Sequence, residues 1–385
     1  MSQWEFSNEL DELKRQQLYR SRQLIDSPQG AKVQIGGVLF DNFSSNDYLG
    51  LANHPSVIKA FQQAAEKYGV GSGSAHLICG HSHEHHALEE ELAEFTGRQR
   101  ALVFSTGYMA NIGAIAALVQ KGDDVFQDKL NHASLIDGGK ISGAQVKRFS
   151  HGDMNRLRQL LEKSSTKKKL VVSDGVFSMD GDEAKINELA TLAEQASAML
   201  MIDDAHGFGV IGKHGGGLLE KYDLSQQQVP ILMATFGKGL GTSGAFIAGS
   251  EELIETLIQR ARTYVFTTAM PPAIMAATRQ SLKICQQESW RREKLSSLVA
   301  RFRQGAEQLG LSLMPSETPI QPVILGSNKA VMSASNYLRQ RHILVAAIRH
   351  PTVRKSSERL RITLSATHTE SQVDALLLAL EGAAC

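Results

Sequence analysis

Thr235-Phe236-Gly237-Lys238-Gly239 follows directly on the apolar run Val229-Pro230-Ile231-Leu232-Met233-Ala234. Such a run reads as a buried strand. Lys238 is thereby set at a strand's end, in a turn whose flanking glycines leave its amine room. Burying an ammonium is costly unless it is paired or neutralised, so lysine is seldom placed there for structure alone. A desolvated lysine with a lowered pKa is what Schiff-base chemistry needs. A second buried run, Met199-Leu200-Met201-Ile202, ends in Asp203-Asp204-Ala205-His206. A Schiff-base lysine beside a carboxylate that can face a pyridinium nitrogen is the protein's half of pyridoxal phosphate (PLP) chemistry.

Along the rest of the chain, strand and helix patterns alternate. Strands are expected at Arg100–Ser105, Val125–Gln127, Gln145–Phe149 and Lys169–Ser173, then at the runs ending in Asp203 and Thr235, with a return strand at Ala245–Ala248. Helices are expected at Ala87–Phe95, Tyr108–Val119, Met154–Lys163 and Ile186–Ala198. This alternation predicts an α/β fold with a mostly parallel sheet covered on both faces. Ligands of such sheets bind at the carboxyl ends of strands, where Asp203 and Lys238 both fall. After about Pro271 the pattern changes. Helices at Ala273–Gln287, Arg291–Leu309 and Glu370–Leu380 enclose strands at Ile320–Leu325, Leu344–Ile348 and Leu360–Leu364. The expected organisation is a large domain over 51–270 and a smaller α/β domain over 271–385, built on one sheet. Residues 1–50, with a helix over Trp4–Arg22 and Asn46-Asp47-Tyr48-Leu49-Gly50, are expected to pack near the smaller domain.

The bulk numbers exclude several classes. Among 385 residues, 41 Lys+Arg balance 40 Asp+Glu, so no global field steers the chain toward nucleic acid or a membrane. No apolar run approaches bilayer-spanning length. The charged N-terminus lacks the apolar stretch of a secretory signal. Cys79, Cys285 and Cys385 form neither a disulfide framework nor a CxxC pair. A reduced, cytoplasmic setting is expected.

Phosphate needs N–H groups and hydroxyls, ideally at a helix N-terminus. Phe104-Ser105-Thr106-Gly107-Tyr108, a strand end leading into a helix, offers them, and Thr235 adds a hydroxyl at the same rim. An ordinary strand-to-helix turn has the same appearance, so it is the neighbouring Lys238 that favours phosphate. Asp203 and Asp204 point to opposite faces. Asp203 is assigned to the pyridinium nitrogen because His206 lies three residues on. Three motifs are set aside. Gly207-Phe208-Gly209-Val210-Ile211-Gly212 matches G-x-G-x-x-G, but no amphipathic helix opens after it. The same stretch through Lys213 approaches a P-loop, but His214 stands where Ser or Thr is required. His81-Ser82-His83-Glu84-His85-His86 invites a metal, yet it leads straight into a helix and reads as a solvated helix start; no metal is expected.

Together these motifs resemble the α-oxoamine synthases, PLP enzymes of the aspartate-aminotransferase fold (fold type I), and within them the branch serving biotin synthesis. The resemblance runs from Arg20 through Arg359-Leu360-Arg361. It rests on Phe43-Ser44-Ser45-Asn46-Asp47-Tyr48-Leu49-Gly50-Leu51, Asn131-His132-Ala133-Ser134, Gly175–Asp182, Asp203–Gly207, Thr235–Gly239 and Ala347-Ile348-Arg349-His350-Pro351-Thr352-Val353. It implies that Lys238 forms the Schiff base with PLP and that Asp203 faces the ring nitrogen. His206 and Ser178 would contact the ring's oxygen side, and His132 would stack on the ring and meet the substrate. Gly107, Tyr108 and Thr235 would lie near the cofactor, Thr235 at its phosphate. Arg20, Thr352 and Arg361 would lie on the substrate side, with Arg361 the partner of an amino-acid carboxylate. The implied reaction condenses L-alanine with a pimeloyl thioester, carried on acyl carrier protein or coenzyme A, with loss of carbon dioxide. The alternative is a sibling synthase such as glycine C-acetyltransferase. A homodimer is also implied, with Tyr264-Val265-Phe266-Thr267-Thr268 reaching toward the partner. His350 stands where relatives often carry proline, and Gly69–His76 varies among them; both bear on acyl-chain recognition.

Overall fold

A computed structural model describes residues 6–16 and 18–383. Trp4 and Cys385 lie outside the described residues. Among the described residues thirteen strands form three sheets. In chain order they are β1 (Lys32–Ile35), β2 (Val38–Asn42), β3 (Arg100–Phe104), β4 (Asp124–Asp128), β5 (Gln145–Phe149), β6 (Lys169–Asp174), β7 (Met199–Asp203), β8 (Ile231–Thr235), β9 (Ala245–Gly249), β10 (Ile320–Ile324), β11 (Ile343–Leu344), β12 (Ala346–Ile348) and β13 (Arg359–Thr363).

The seven-stranded sheet has the order β3-β9-β8-β7-β6-β4-β5. β9 alone runs opposite to the other six strands. The carboxyl ends of β3, β4, β6, β7 and β8 therefore share one edge, which collects the loops beginning at Ser105, Lys129, Gly175, Asp204 and Phe236. Both faces are covered, which is why these strands read as continuous apolar runs. Leu200 and Ile202 pack on one face, and Met201 on the other with helices Gly107–Leu118 and Glu251–Arg260. By the period of two, Asp203 follows Met201 and Asp204 follows Ile202.

The remaining strands form two three-stranded sheets, not one. Order β1-β2-β11 joins the N-terminal segment to the C-terminal part, and order β10-β13-β12 is antiparallel. The single strand expected at Leu344–Ile348 is two short ones: Ile343 pairs with Asp41 and Ala346 with Arg361. Buried Val345 marks the switch between sheets. The N-terminal helix ends at Arg15 rather than at Arg22; it buries none of its residues, and the chain from Leu18 to Ser27 is irregular. Asn46–Gly50 packs on the C-terminal part, with the Ser365 hydroxyl donating to the Asp47 carbonyl (2.8 Å). Helices at Pro55–Tyr68, Ala133–Ile141, Glu251–Arg260 and Asn328–Gln340 add to those expected.

His151 fastens two of the loops on the sheet's carboxyl edge. Its Nδ1 lies 3.2 Å from Asp128 Oδ2 and its Nε2 2.8 Å from Asp182 Oδ2. Hydrogen bonds to these two carboxylates raise its pKa from 6.5 to about 10. Because the folded value is the higher one, the stabilisation is complete below pH 6.5 and is lost as pH rises through about 10. The difference in urea midpoint between the parent chain and His151→Gln should accordingly be greatest on the acid side and vanish on the alkaline side. A difference that does not vary with pH would remove the charged clamp.

Candidate active site

Lys238 extends from the turn after β8 into the edge described above, and its Nζ lies 3.0 Å from His206 Nε2. Burial lowers the Lys238 pKa, opposed by Asp203 and Asp174. Burial, with Lys238, Arg361 and His132 nearby, holds His206 neutral. His206 Nδ1 meets the Tyr48 hydroxyl at 2.6 Å. That hydroxyl donates to Asn46 Oδ1 (3.2 Å), which also accepts from both terminal nitrogens of Arg361 (3.2 Å). Burial pushes the Tyr48 phenol up to about 12, so it keeps its proton. With the Tyr48 proton given to Asn46, His206 carries its own proton on Nδ1. Nε2 is then free to accept from Lys238.

A second chain of contacts starts at Asp203. Its Oδ1 accepts from the Ala205 N–H (3.0 Å) and its Oδ2 from Asn111 Nδ2 (2.7 Å). Asn111 Nδ2 also donates to Ser134 Oγ (2.8 Å), which lies 2.7 Å from His132 Nδ1. His132 caps helix Ala133–Ile141, accepting from the Ser134 N–H at Nδ1. Nδ1 is thus an acceptor and the ring proton sits on Nε2. The His132 N–H donates to Asp174 Oδ2 (2.6 Å). Burial, with Asp203 nearby, drives the Asp174 pKa well above its ordinary value. Asp204 turns the opposite way, as the strand period requires. Its Oδ2 accepts from the Leu218 N–H (2.7 Å), and burial raises its pKa to about 8. Gly207 of the G-x-G-x-x-G stretch and Gly217 beyond it border this carboxyl, whereas Gly209 packs on Gly239 and Gly212 on Glu220. A Cβ on Gly217 (φ +83°) would lie 1.9 Å from Asp204 Oδ2. Gly207 and Gly217 serve packing of a buried acid, and the helix that begins there is the four-residue turn Leu218–Lys221, too short for a dinucleotide fingerprint.

The residues fit PLP. Thr235 Oγ1 is buried with no hydrogen-bond partner. The methyl group of the same side chain lies against the start of helix Gly107–Leu118, where a Cβ on Gly107 would come within 2.7 Å of Thr235 Cγ2. Only glycine lets the helix start approach this closely, and an orphan hydroxyl at a helix N-terminus suits a phosphate. Lys238 offers the amine and Asp203 the carboxylate.

Other expected residues fall variously. Arg361, on β13, donates from Nε to the Ser178 carbonyl (2.6 Å), which places Ser178 at the same site. Tyr108 turns its exposed side chain to Asp137 Oδ2 (2.6 Å). Thr352 lies exposed on the hairpin between β12 and β13, and Arg20 is exposed on the irregular segment after the first helix. Nothing described joins either to Lys238. Tyr48, Asn46, Asn111, Ser134 and Asp174 received no role from the sequence. Asn111 alone left a signal, a lone polar side chain within an apolar helix.

The histidine-rich stretch is not simply a solvated helix start. Its helix begins at His83, but His85 is fully buried and donates from Nε2–H to the Met270 carbonyl (2.8 Å), its Nδ1 accepting from the Ser82 N–H. His76 stacks on Tyr264 with centroids 4.7 Å apart, turning that tyrosine inward and leaving Phe266 as the exposed aromatic of its segment. The ligand atoms of His81, His86 and Glu89 lie within 4.8 Å of one another. A cleft of about 1280 Å³ lies elsewhere, between helices Pro55–Tyr68, His83–Thr96 and Pro272–Gln287. Its central Arg279 is already clasped by Glu84 and Glu91.

Residues 41–380 match the model of the aminotransferase class I and II family. The chain is 58% identical over 368 residues to the 8-amino-7-oxononanoate synthase of Cellvibrio japonicus, spanning 96% of this chain and 92% of that protein. It is 56% identical over 374 residues to that of Methylococcus capsulatus, spanning 97% of each. Among solved structures, a Sphingomonas wittichii serine palmitoyltransferase superposes with a TM-score of 0.94 at 31% identity, covering 99% of this chain and 98% of that one. An 8-amino-7-oxononanoate synthase from Francisella tularensis superposes at 0.78 and 31%, covering 89% and 97%. Sequence, sheet order and site geometry agree: the chain belongs to the aminotransferase class I and II family and has the fold type I architecture of PLP enzymes.

Proposed function

We propose that the chain condenses L-alanine with a pimeloyl thioester to give 8-amino-7-oxononanoate, carbon dioxide and free thiol, in biotin synthesis. The observation carrying this reading is the meeting of Lys238, His206, Asp203, His132 and Arg361 on one edge of the sheet, in a chain whose curated relatives bear that name. When bound, PLP supplies an electron sink for the carbanion at the alanine Cα. Thr235 and the start of helix Gly107–Leu118 would hold its phosphate, Lys238 would tether it, and Asp203 would keep a proton on its ring nitrogen.

The chain's own residues then divide the work. Arg361 binds the alanine carboxylate through its guanidinium fork, already aimed by Ser178 and Asn46. Lys238, its pKa lowered by burial, takes the proton from Cα. His206 accepts at Nε2 and steadies the amine before that transfer. His132 presents Nε2–H toward the acyl group, its tautomer fixed by Ser134. The new C–C bond forms at the thioester carbonyl as the C–S bond breaks and the thiolate leaves, taking its proton from solvent. Carboxylate loss and reprotonation at Cα by Lys238 complete the product.

The deciding assay offers L-alanine against glycine, and pimeloyl against acetyl thioesters. Preference for glycine and acetyl would favour glycine C-acetyltransferase and sink the proposal. Arg361→Lys should raise the KM for alanine about tenfold or more, because charged hydrogen bonds contribute about 1.5–3 kcal/mol and the fork geometry is lost. The kcat should change less. We further propose a cytoplasmic homodimer with exposed Phe266 near the partner, and a domain division at about residue 271. Free Cys79 and Cys285 support a reduced setting, and no described helix is long and apolar enough to cross a membrane.

A further inference from the structure

The chain is almost neutral, but its charge is not evenly spread. From Thr318 to Ser357 it carries Lys329, Arg339, Arg341, Arg349, Arg354 and Lys355 and no aspartate or glutamate. Lys329, Arg341, Arg354 and Lys355 are exposed. Among the described residues none of these four, nor Arg339, forms an ion pair with a carboxylate. Structural cations on a neutral protein ordinarily find acids nearby, as Arg279 and Arg301 do here.

The fold gathers these cations beside the site. Arg354 and Lys355 sit on the hairpin between β12 and β13, and β13 carries Arg361, paired with Ala346. The hairpin is built and anchored. Val353 is buried beneath it, and the Arg354 carbonyl accepts from both the N–H (3.1 Å) and the hydroxyl (2.7 Å) of Ser357. Asn328 Oδ1 accepts from the His350 N–H (3.2 Å), tying the hairpin to the start of helix Asn328–Gln340 and hence to Lys329. At the other end of that helix, Arg339 donates to Gln23 Oε1 (2.7 Å), which brings the exposed Arg20–Arg22 segment to that end.

We propose that this basic face, centred on Lys329, Arg354 and Lys355, docks the acidic surface of a small protein that carries the acyl group as a thioester. The proposal rests on the acyl-transfer reading above and extends it by giving a carrier-bound donor its docking surface. A compact phosphate group would need a few converging cations. Here they spread along a whole helix and an adjoining hairpin, as a protein face requires. Complementary charge chiefly raises the rate of encounter and fixes orientation. Docking on this hairpin would start the thioester arm one strand from Arg361.

The test uses the PLP-loaded full-length enzyme with two donors, pimeloyl acyl carrier protein and pimeloyl coenzyme A. The variants are Arg354→Glu/Lys355→Glu and, separately, Lys329→Glu. With the carrier-protein donor, kcat/KM should fall about tenfold or more, carried by KM, and the gap should narrow as salt rises. With the coenzyme A donor, kcat/KM should stay within about twofold of the parent, which also certifies folding. Equal losses with both donors would overturn the proposal by making the face a nucleotide site. Unchanged kinetics with the carrier protein would overturn it outright, as would binding of random duplex DNA by the face without any carrier-protein effect. A parent enzyme inactive with both donors would instead remove the acyl-transfer reading itself.

Discussion

Lys238→Ala is expected to lower turnover about 10³-fold or more, since nucleophilic tethering and proton transfer are both lost. The visible absorbance of the lysine-bound cofactor should vanish with it. The Lys238 Nζ lies 3.0 Å from His206 Nε2, and burial already disfavours its charge. Removing it leaves His206 neutral and still bonded to Tyr48, so the fold should persist. Circular dichroism and the thermal midpoint check that point. Retained turnover with an unchanged absorbance band would defeat both roles assigned to this lysine.

Asp203→Asn should cost about 10²–10³ in kcat, the size expected for removing a preorganised charge from a water-poor site. Asp203 accepts from two donors, Ala205 N–H and Asn111 Nδ2. An amide can accept at only one of its two positions. The new NH₂ would face the Asn111 NH₂ unless Asn111 turned over. Asn111 Oδ1, buried and unpartnered in the parent, would then accept from the new amide. The turn would also withdraw the donor that Asn111 gives Ser134, and with it the setting of His132 Nδ1. The variant should therefore bind alanine with little change in KM while losing kcat, and its pH–rate profile should shift with His132. A kcat within about threefold of the parent would show that the charge of Asp203 is not used.

Much of this site was legible along the chain because it obeys local rules. The period of two set Asp203 and Asp204 on opposite faces, and the structure turns one toward Asn111 and the other toward Leu218. The apolar run before Thr235 announced a strand end, and β8 stops at Thr235. The small sheets were not legible. Ile343–Ile348 is too short and uniformly apolar to reveal that Val345 marks a change of partner. The histidine stretch was misjudged for a related reason. Helix phase does not tell which histidine meets Met270, 185 residues away.

Composition and periodicity alone determined the α/β class, the strand ends bearing Asp203 and Lys238, and the absence of a global charge that would steer the whole chain. Only the tertiary structure decided which side chains meet there. Tyr48 reaches His206 across 158 residues, Asn111 reaches Asp203 across 92, and Arg361 reaches Ser178 across 183. The same holds for the basic hairpin, whose place beside Arg361 follows from the pairing of β12 with β13. Periodicity encodes the direction of a side chain within its own strand or helix. Which elements lie side by side is set by sheet order and packing of the whole core, a non-local property that no short window of sequence contains.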